Sequence, residues 1–366
     1  MRLLVANLTG GGLSGGYRTY LRELLPRLAS EADVRTLEVV MPPGTVAAAG
    51  ELAGSAIEWP VDPPGGLTRW LAARVQARDI DVMFVPTARV PSLAVPVVTM
   101  VRNMEPLVRP LAGNSLSDGV RNLGRRMAAH RAVRRASRVI AVSDYVRDFL
   151  VDRWHVSPER VGVVPHGVAM ADAAVPPPGV GDADAERFLF TAGSIRPARG
   201  LEDVIGAMEA LGSDAPPLVI AGTVDAGAET YASALRDRLA RAGLTDRVRW
   251  AGHLDRAQMR WCFEHGAAFV MTSRVEACPN IALEAMCHGA VSIATRCRPM
   301  PEFFGPAASY YDAGASSALA AVIREVFAQD VATCATRRKT ARARAAGYSW
   351  DATARGTITE LARAMR

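Results

Sequence analysis

Residues 274–290 read RVEACPNIALEAMCHGA and lie between two short apolar runs, AAFVMTS at 267–273 and GAVSIAT at 289–295. Each run has the length and composition of a buried strand, and the residues between them leave room for about two turns of helix, which makes a strand, loop, helix, strand unit. Pro279 lacks an N–H and carries a fixed φ, so it belongs in the turn or at the first helical position, and Asn280 has the short side chain that caps orphan amides. The helix is expected to start at Asn280 or Ile281. In open parallel sheets ligands bind at the carboxyl ends of the strands, where helix N-termini turn amides and a positive dipole end toward anions. A diphosphate suits this place. Glu284, just past the first turn, is placed to reach a hydroxyl pair such as a ribose diol, and Glu276 stays in the loop nearer a reacting end. The plainer alternative makes Glu276 a solvated loop residue and Glu284 a surface charge.

Outward from this stretch the chain alternates strand and helix signals, which implies parallel sheets covered by helices. RLLVANL (2–8) is a first buried strand. It runs through GGGLSGG (10–16) into a helix from about Tyr17 to Leu28. TLEVVM, a helix from about Leu67 to Arg78, DVMFVP and VPVVTMV follow, and then a long Arg-rich helix over 115–137 leads into RVIAVS, whose Ser143-Asp144 opens another helix. After VVPHGV, residues 169–186 (AMADAAVPPPGVGDADAE) hold three successive prolines, small residues and acids, the composition of a linker. A second series then begins: RFLFTA, a helix from about Leu201, PPLVIAG, a helix around 229–242, RVRWAG, a helix around 256–265, and the opening stretch. At 366 residues two domains are the prior. The expected organisation is 1–167 with 349–366 packing back on it, a linker over 168–186, and 187–348.

The ordered set of motifs resembles the retaining nucleotide-sugar glycosyltransferases of family 4. It consists of two Glu with seven residues between them before Ala-Met and a strand, a Gly-Gly loop after the first strand, an Arg-rich helix before VIAVS, GSIRPARGLEDVI at 193–205, RPMPEFFG with Glu302, and the closing YSWDATARGTITELARAM. The resemblance implies an α/β fold of two Rossmann-like, doubly wound domains facing a central cleft, the GT-B architecture. It also implies transfer of a sugar from a nucleoside-diphosphate donor to a hydroxyl on a glycan, glycolipid or small molecule, with no cofactor beyond the nucleotide sugar. Residue by residue, Glu276, Arg199 and Arg196 are carried over as the catalytic group. Glu284, Gly15, Gly16, Ser194, Asn280 and Ile281 are carried over to the donor, and Arg102 and Asn103 to the acceptor side. Two positions depart from the family. Ser194 stands where relatives have an Arg that holds the diphosphate, so Arg196 is a candidate substitute, and Arg199 takes the place of a Lys. Arg102 stands where relatives often place a His that faces the sugar. Arg shuttles no proton near neutral pH, so Arg102 and Asn103 either hold a phosphate or acidic acceptor or brace their loop.

Composition narrows the classes further. A hydrophobic content of 49% with 22% charged residues is that of a folded globular chain. No apolar run approaches the ~20 residues of a membrane span, and the N-terminus does not read as a signal peptide, so a cytoplasmic protein is expected. Five Cys without a C-x-x-C pair point to reduced, structural thiols. Basic residues are not interleaved with stacking aromatics, which excludes nucleic acid as the expected partner. Two Asp-x-Asp triplets, 79–81 and 182–184, fall away from the phosphate loops, so no metal site is expected. From Asp118 to Arg138 there are seven Arg and one Asp. Arg131, Arg134, Arg135 and Arg138 fall on one helical face and Ala129, Ala132, Val133 and Ala136 on the other. The Arg121–Arg138 helix is thus either a solvated face over a packed core or a peripheral contact with an anionic membrane at the inner face. Two other functions fit the same fold: a sugar-nucleotide epimerase and a non-catalytic nucleotide-sugar-binding protein.

Overall fold

A computed structural model describes residues 1–8, 15–46, 55–108, 116–180 and 188–366. The 182–184 triplet, the end of the linker and most of the GGGLSGG loop lie outside them. The chain divides into two compact units. One is built mainly from residues 1–110, 118–167 and 349–366, the other from Val168–Tyr348.

The first unit holds seven strands: β1 (Arg2–Ala6), β2 (Thr36–Met41), β3 (Ser55–Glu58), β4 (Val82–Val85), β5 (Val97–Val101), β6 (Arg138–Ala141) and β7 (Val161–Val163). Their spatial order is β3-β2-β1-β4-β5-β6-β7, and every pairing is parallel. The runs LLVA, VMFV and VVTMV are buried along their whole length, as expected for strands covered on both faces. The direction of winding reverses between β1 and β4. Such a reversal opens a crevice at the carboxyl ends of those two strands. The C-terminal Trp350–Ala364 helix, capped by Ser349 through a bond from the Ala352 amide, belongs to this unit and buries Glu360 against Arg138 at 2.7 Å.

The second unit is a six-stranded parallel sheet. Its strands are β8 (Leu189–Ala192), β9 (Leu218–Ala221), β10 (Val248–Gly252), β11 (Ala268–Met271), β12 (Ser292–Thr295) and β13 (Ala308–Tyr311), in the order β10-β9-β8-β11-β12-β13. The reversal falls between β8 and β11. Described linker residues 168–180 lie along the Arg256–His265 helix, held by Val175 N–H to the Ala257 carbonyl at 3.1 Å and by Arg260 to the Ala171 carbonyl at 2.7 Å.

Three expectations are corrected. The Arg-rich helix ends at Arg135. Arg138 opens β6 and its guanidinium is taken up by Glu360 and the Glu159 carbonyl, so it does not join the exposed arginine face. Asn280 does not cap its helix: Pro279 occupies the cap position without a side-chain bond, and Asn280 is the first helical residue. The edge strand β3 and the last strand β13 carry too few strongly apolar residues to be read from SAIE and ASYY alone.

Candidate functional site

The β8 and β11 loops emerge side by side at the reversal of the second sheet. After β8 the backbone turns at Gly193, with φ 133°. It passes Ser194, buried Ile195 and Arg196, makes a single 3-10 turn over Pro197–Arg199, and reaches Gly200 at φ 62°. Only glycine fits at Gly200, because a Cβ there would stand 2.5 Å from the Thr272 carbonyl oxygen. After β11 come Thr272, Ser273, Arg274 and Glu276, and then the Asn280–Cys287 helix.

The two loops are stitched together. Thr272 Oγ1 donates to the Arg199 carbonyl at 2.6 Å, and Arg274 N–H to the Ala198 carbonyl at 2.9 Å. The Arg274 guanidinium bridges to Glu202 at 3.1 Å and Asp203 at 2.7 Å. Asp203 is buried, and its other oxygen accepts from Tyr311 Oη at 3.1 Å and the Gly314 amide at 2.9 Å. Burial and the Asp203 carboxylate push the Tyr311 phenol pKa up, which keeps it a donor. This network sets the spacing of the two loops, and none of its members stands out in the sequence. Glu202 and Asp203 look like ordinary acids in a first helical turn, and Arg274 is one of many arginines.

Within this frame Arg199 and Glu276, 77 residues apart in sequence, form an ion pair. Arg199 also donates to Ser273 Oγ at 3.3 Å, and its Nε, buried, has no acceptor among the described residues. Its side chain lies over Gly193, where a Cβ would come within 3.1 Å of that nitrogen. A small recess lined by Thr191, Gly193, Arg199, Met271 and Ser273 opens here between the ends of β8 and β11. Arg196 is engaged with Asp225 at 3.6 Å. Ser194 is half-buried.

Glu284 behaves differently from Glu276. No described residue donates to its carboxylate, and burial pushes its pKa up to about 7, against the pull of Arg256. A carboxylate held this way is short of donors, and hydroxyl groups of a ligand would supply them. Asn280 and Ile281 sit half-buried at the start of the same helix.

The remaining candidates belong to the first unit. Gly15 and Gly16 begin the exposed first turn of the Gly15–Ser30 helix, and a Cβ at Gly15 would meet nothing. Arg102 stacks on the Tyr17 ring at 3.7 Å and donates Nε to the Pro86 carbonyl at 3.1 Å. Asn103 Oδ1 accepts from the Glu105 amide at 3.1 Å, which is a local brace. Asp79 and Asp81 of the first Asp-x-Asp triplet face Arg2, the latter through backbone and side chain. Among the described residues no cluster of three metal-ligating side chains occurs.

Fold and site together define a doubly wound α/β protein of two units, the second with a cation, a paired carboxylate and a donor-poor carboxylate at its sheet reversal. Residues 179–345 match the model of the glycosyl transferases group 1 family, and residues 14–172 match that of Glycosyltransferase Family 4. The chain belongs to the family 4 glycosyltransferases of GT-B fold. It is similar to a D-inositol 3-phosphate glycosyltransferase of Kineococcus radiotolerans, 26% identical over 267 residues, 66% of this chain and 61% of that protein. The chain therefore spans less than two thirds of that curated relative. Among solved structures, a glycosyltransferase from Rickettsia africae superposes with a TM-score of 0.77 at 14% identity, covering 100% of this chain and 99% of that one. Anabaena HepE in complex with UDP does so with a TM-score of 0.77 at 16% identity, covering 99% and 100%. HepE has also been solved with UDP-glucose.

Proposed function

We propose that the protein transfers a sugar from a nucleoside-diphosphate donor to a hydroxyl acceptor, with retention at the anomeric carbon and without a metal. The observation that carries this is the pairing of Arg199 with Glu276 beside Glu284, whose carboxylate meets no hydrogen-bond donor among the described residues, at the β8/β11 reversal. Glu284 takes the ribose diol, whose two hydroxyls supply the donors its carboxylate lacks. Arg199 exchanges its partner for the diphosphate, with forked donors matched to phosphate oxygens, and Glu276, released, faces the sugar. As the acceptor oxygen bonds to the anomeric carbon, the bond from that carbon to the diphosphate oxygen breaks. The departing diphosphate takes the acceptor proton while Arg199 and the helix amides meet its developing charge.

The test is an assay with a panel of UDP-, GDP- and ADP-sugars, UDP-sugars first because the Anabaena neighbour binds UDP and UDP-glucose. It follows nucleoside diphosphate release and the anomeric configuration of the product by NMR. Turnover is expected to be unchanged in excess EDTA, since charge neutralisation falls to Arg199 and Asp79 and Asp81 are already committed to Arg2. Loss of activity in chelator, restored by magnesium or manganese, would overturn metal independence. An inverted product would overturn retention.

A membrane-facing acceptor is the finer part of the proposal. The underside of the Leu116–Arg135 helix packs Ala129, Ala132 and Val133 into the core. Its open side carries exposed Arg131, Arg134 and Arg135 and, further upstream, Val120, Leu123 and Met127 at 74%, 47% and 49% exposure. Spacings of three and seven put these three apolar residues on one stripe. An apolar stripe continued by arginines suits shallow contact with an anionic lipid surface, at ~1 kcal/mol per basic residue. No described helix is long and apolar enough to cross a membrane. The protein is expected to co-sediment with phosphatidylglycerol-containing but not neutral vesicles, less so as salt rises, and reversal of Arg131, Arg134 and Arg135 to Glu abolishes this. Absence of binding at low salt would mean a soluble acceptor.

A further inference from the structure

The reversal in the first sheet, between β1 and β4, carries a half-buried cation that meets no counter-charge among the described residues. Arg102 leaves the end of β5 and lies flat on the Tyr17 ring at 3.7 Å, and its Nε bonds the Pro86 carbonyl at the end of β4. Tyr17 is itself held by Asn7, just past β1, through a 3.2 Å bond from its hydroxyl. Of the five N–H donors of the guanidinium, only the one on Nε has an acceptor among the described residues. The titratable groups near enough to act on Arg102 are the phenols of Tyr17 and Tyr20, and no described carboxylate does so. Burial lowers its pKa, the sign of a charge that has lost water and gained no anion.

Two neighbours extend the pattern. The Thr87 hydroxyl, one residue beyond Pro86, is buried with no hydrogen-bond partner among the described residues. Arg89, on the same loop, donates to the Leu8 carbonyl at 2.8 Å and meets no carboxylate among the described residues. Bracing the loop would take one donor of Arg102, and a neutral side chain could supply it. Both Nη groups are left without an acceptor among the described residues, which leaves a charged fork open to a ligand.

We propose that the β1/β4 crevice of the first unit is an anion subsite in which the Nη groups of Arg102, with the Thr87 hydroxyl and Arg89 beside them, take a phosphate or carboxylate borne by the sugar-transfer substrates. The planar fork of Arg matches two oxygens of such a group at once. A neutral polyol would leave the charge unmatched. The same chemistry serves a phosphate or a carboxylate on the acceptor. This inference rests on the transfer reading for the identity of the molecule that carries the anion, and on the geometry of Arg102 for the anion itself.

The full-length protein is titrated calorimetrically with glycerol 3-phosphate, with glycerol as the neutral control. Wild type is compared with Arg102→Met, Arg102→Lys and Arg199→Ala. Glycerol 3-phosphate is expected to bind wild type, about tenfold or more weaker to Arg102→Met, at an intermediate level to Arg102→Lys, and undiminished to Arg199→Ala, which separates this subsite from the diphosphate loop. In a parallel arm glycerate is titrated beside glycerol, and Arg102-dependent binding of glycerate extends the subsite to carboxylates. Arg102→Met is also expected to raise the melting temperature of the unliganded protein, since it removes a partly desolvated charge that has no counter-charge among the described residues and keeps the volume. If neither anion shows a dependence on Arg102, or if Arg102→Met lowers the melting temperature, Arg102 is a brace and the proposal is wrong. Nucleotide-sugar turnover in that case leaves the transfer reading standing, whereas Arg102-dependent phosphate binding without any nucleotide-sugar binding defeats the transfer reading alone.

Discussion

On the proposed transfer, Arg199→Ala is expected to lower turnover by about 10²–10³-fold, the usual loss when one group that stabilises developing charge is removed from a desolvated site. The size of the effect has two sources. The variant takes away the cation offered to the departing diphosphate, and it leaves Glu276, normally paired with Arg199, as an uncompensated negative charge beside two phosphates. Folding should survive, because the stitches between the β8 and β11 loops run through the Arg199 carbonyl and the Ala198 carbonyl, which the substitution preserves. Arg199→Lys retains the charge and loses the fork, so its turnover falls between the two. Measured kcat decides the matter, and a drop of less than about fivefold in Arg199→Ala would remove Arg199 from the chemistry, against the 10²–10³ that a charge-stabilising group commands.

Glu284→Gln is expected to make the protein a worse binder and a more stable fold. On the binding side, loss of charge-assisted bonds to two ligand hydroxyls costs about 1.5–3 kcal/mol, or one to two decades in Kd for the nucleotide sugar. On the stability side, the folded-state pKa of about 7 lies above the ordinary carboxylate value. The folded protein therefore holds more protons than the unfolded chain between pH ~4.5 and 7, and stability falls as pH rises through that window. Above it the ionised Glu284 carries the full cost, on the order of 3 kcal/mol, which the glutamine avoids. Glu284→Gln should thus melt higher than wild type at pH 8 and equally at pH 4. Ligand hydroxyls favour the ionised form, so donor affinity in the wild type climbs as pH rises toward 7 and levels off above it, and in the variant it stays flat. A pH-independent wild-type affinity would show that nothing binds to this carboxylate.

The two carboxylates also show how far the sequence could be read. Glu276 and Glu284 were both legible as a pair at fixed spacing around Pro279, and so was the cation at position 199, because the residues lie on loops that short apolar runs announce. Their electrostatic states were not. Glu276 is neutralised by Arg199 and Glu284 is starved of donors, a difference made by what folds against each of them. Arg196 and Arg199 both read as cations for the diphosphate, one as a substitute for the missing Arg and one in the place of a Lys, and the turn over Pro197–Arg199 sends the first toward Asp225 and the second toward Glu276. Arg138 looked like the last member of an arginine stripe, since helical periodicity does not say where a helix stops, and the carboxylate that claims it lies 222 residues away.

Local chemistry was enough for most of the strands and many of the helices and for their alternation, since apolar runs, glycine turns and proline positions act over a few residues. It was also enough for parallel sheets covered by helices, because an apolar run too short for a helix and bounded by helices has few other ways to bury itself, while the doubly wound form was what the family resemblance implied. The winding order, and with it the two reversals that bring the β8 loop to the β11 loop and Arg102 to Tyr17 and Pro86, depends on contacts between residues tens to hundreds of positions apart. The half-buried placement of Arg102 on Tyr17 and the raised pKa of Glu284 depend on the same contacts. Charge and solvation at a site are set by everything within several ångströms of it, and in this chain most of those neighbours come from elsewhere in the sequence.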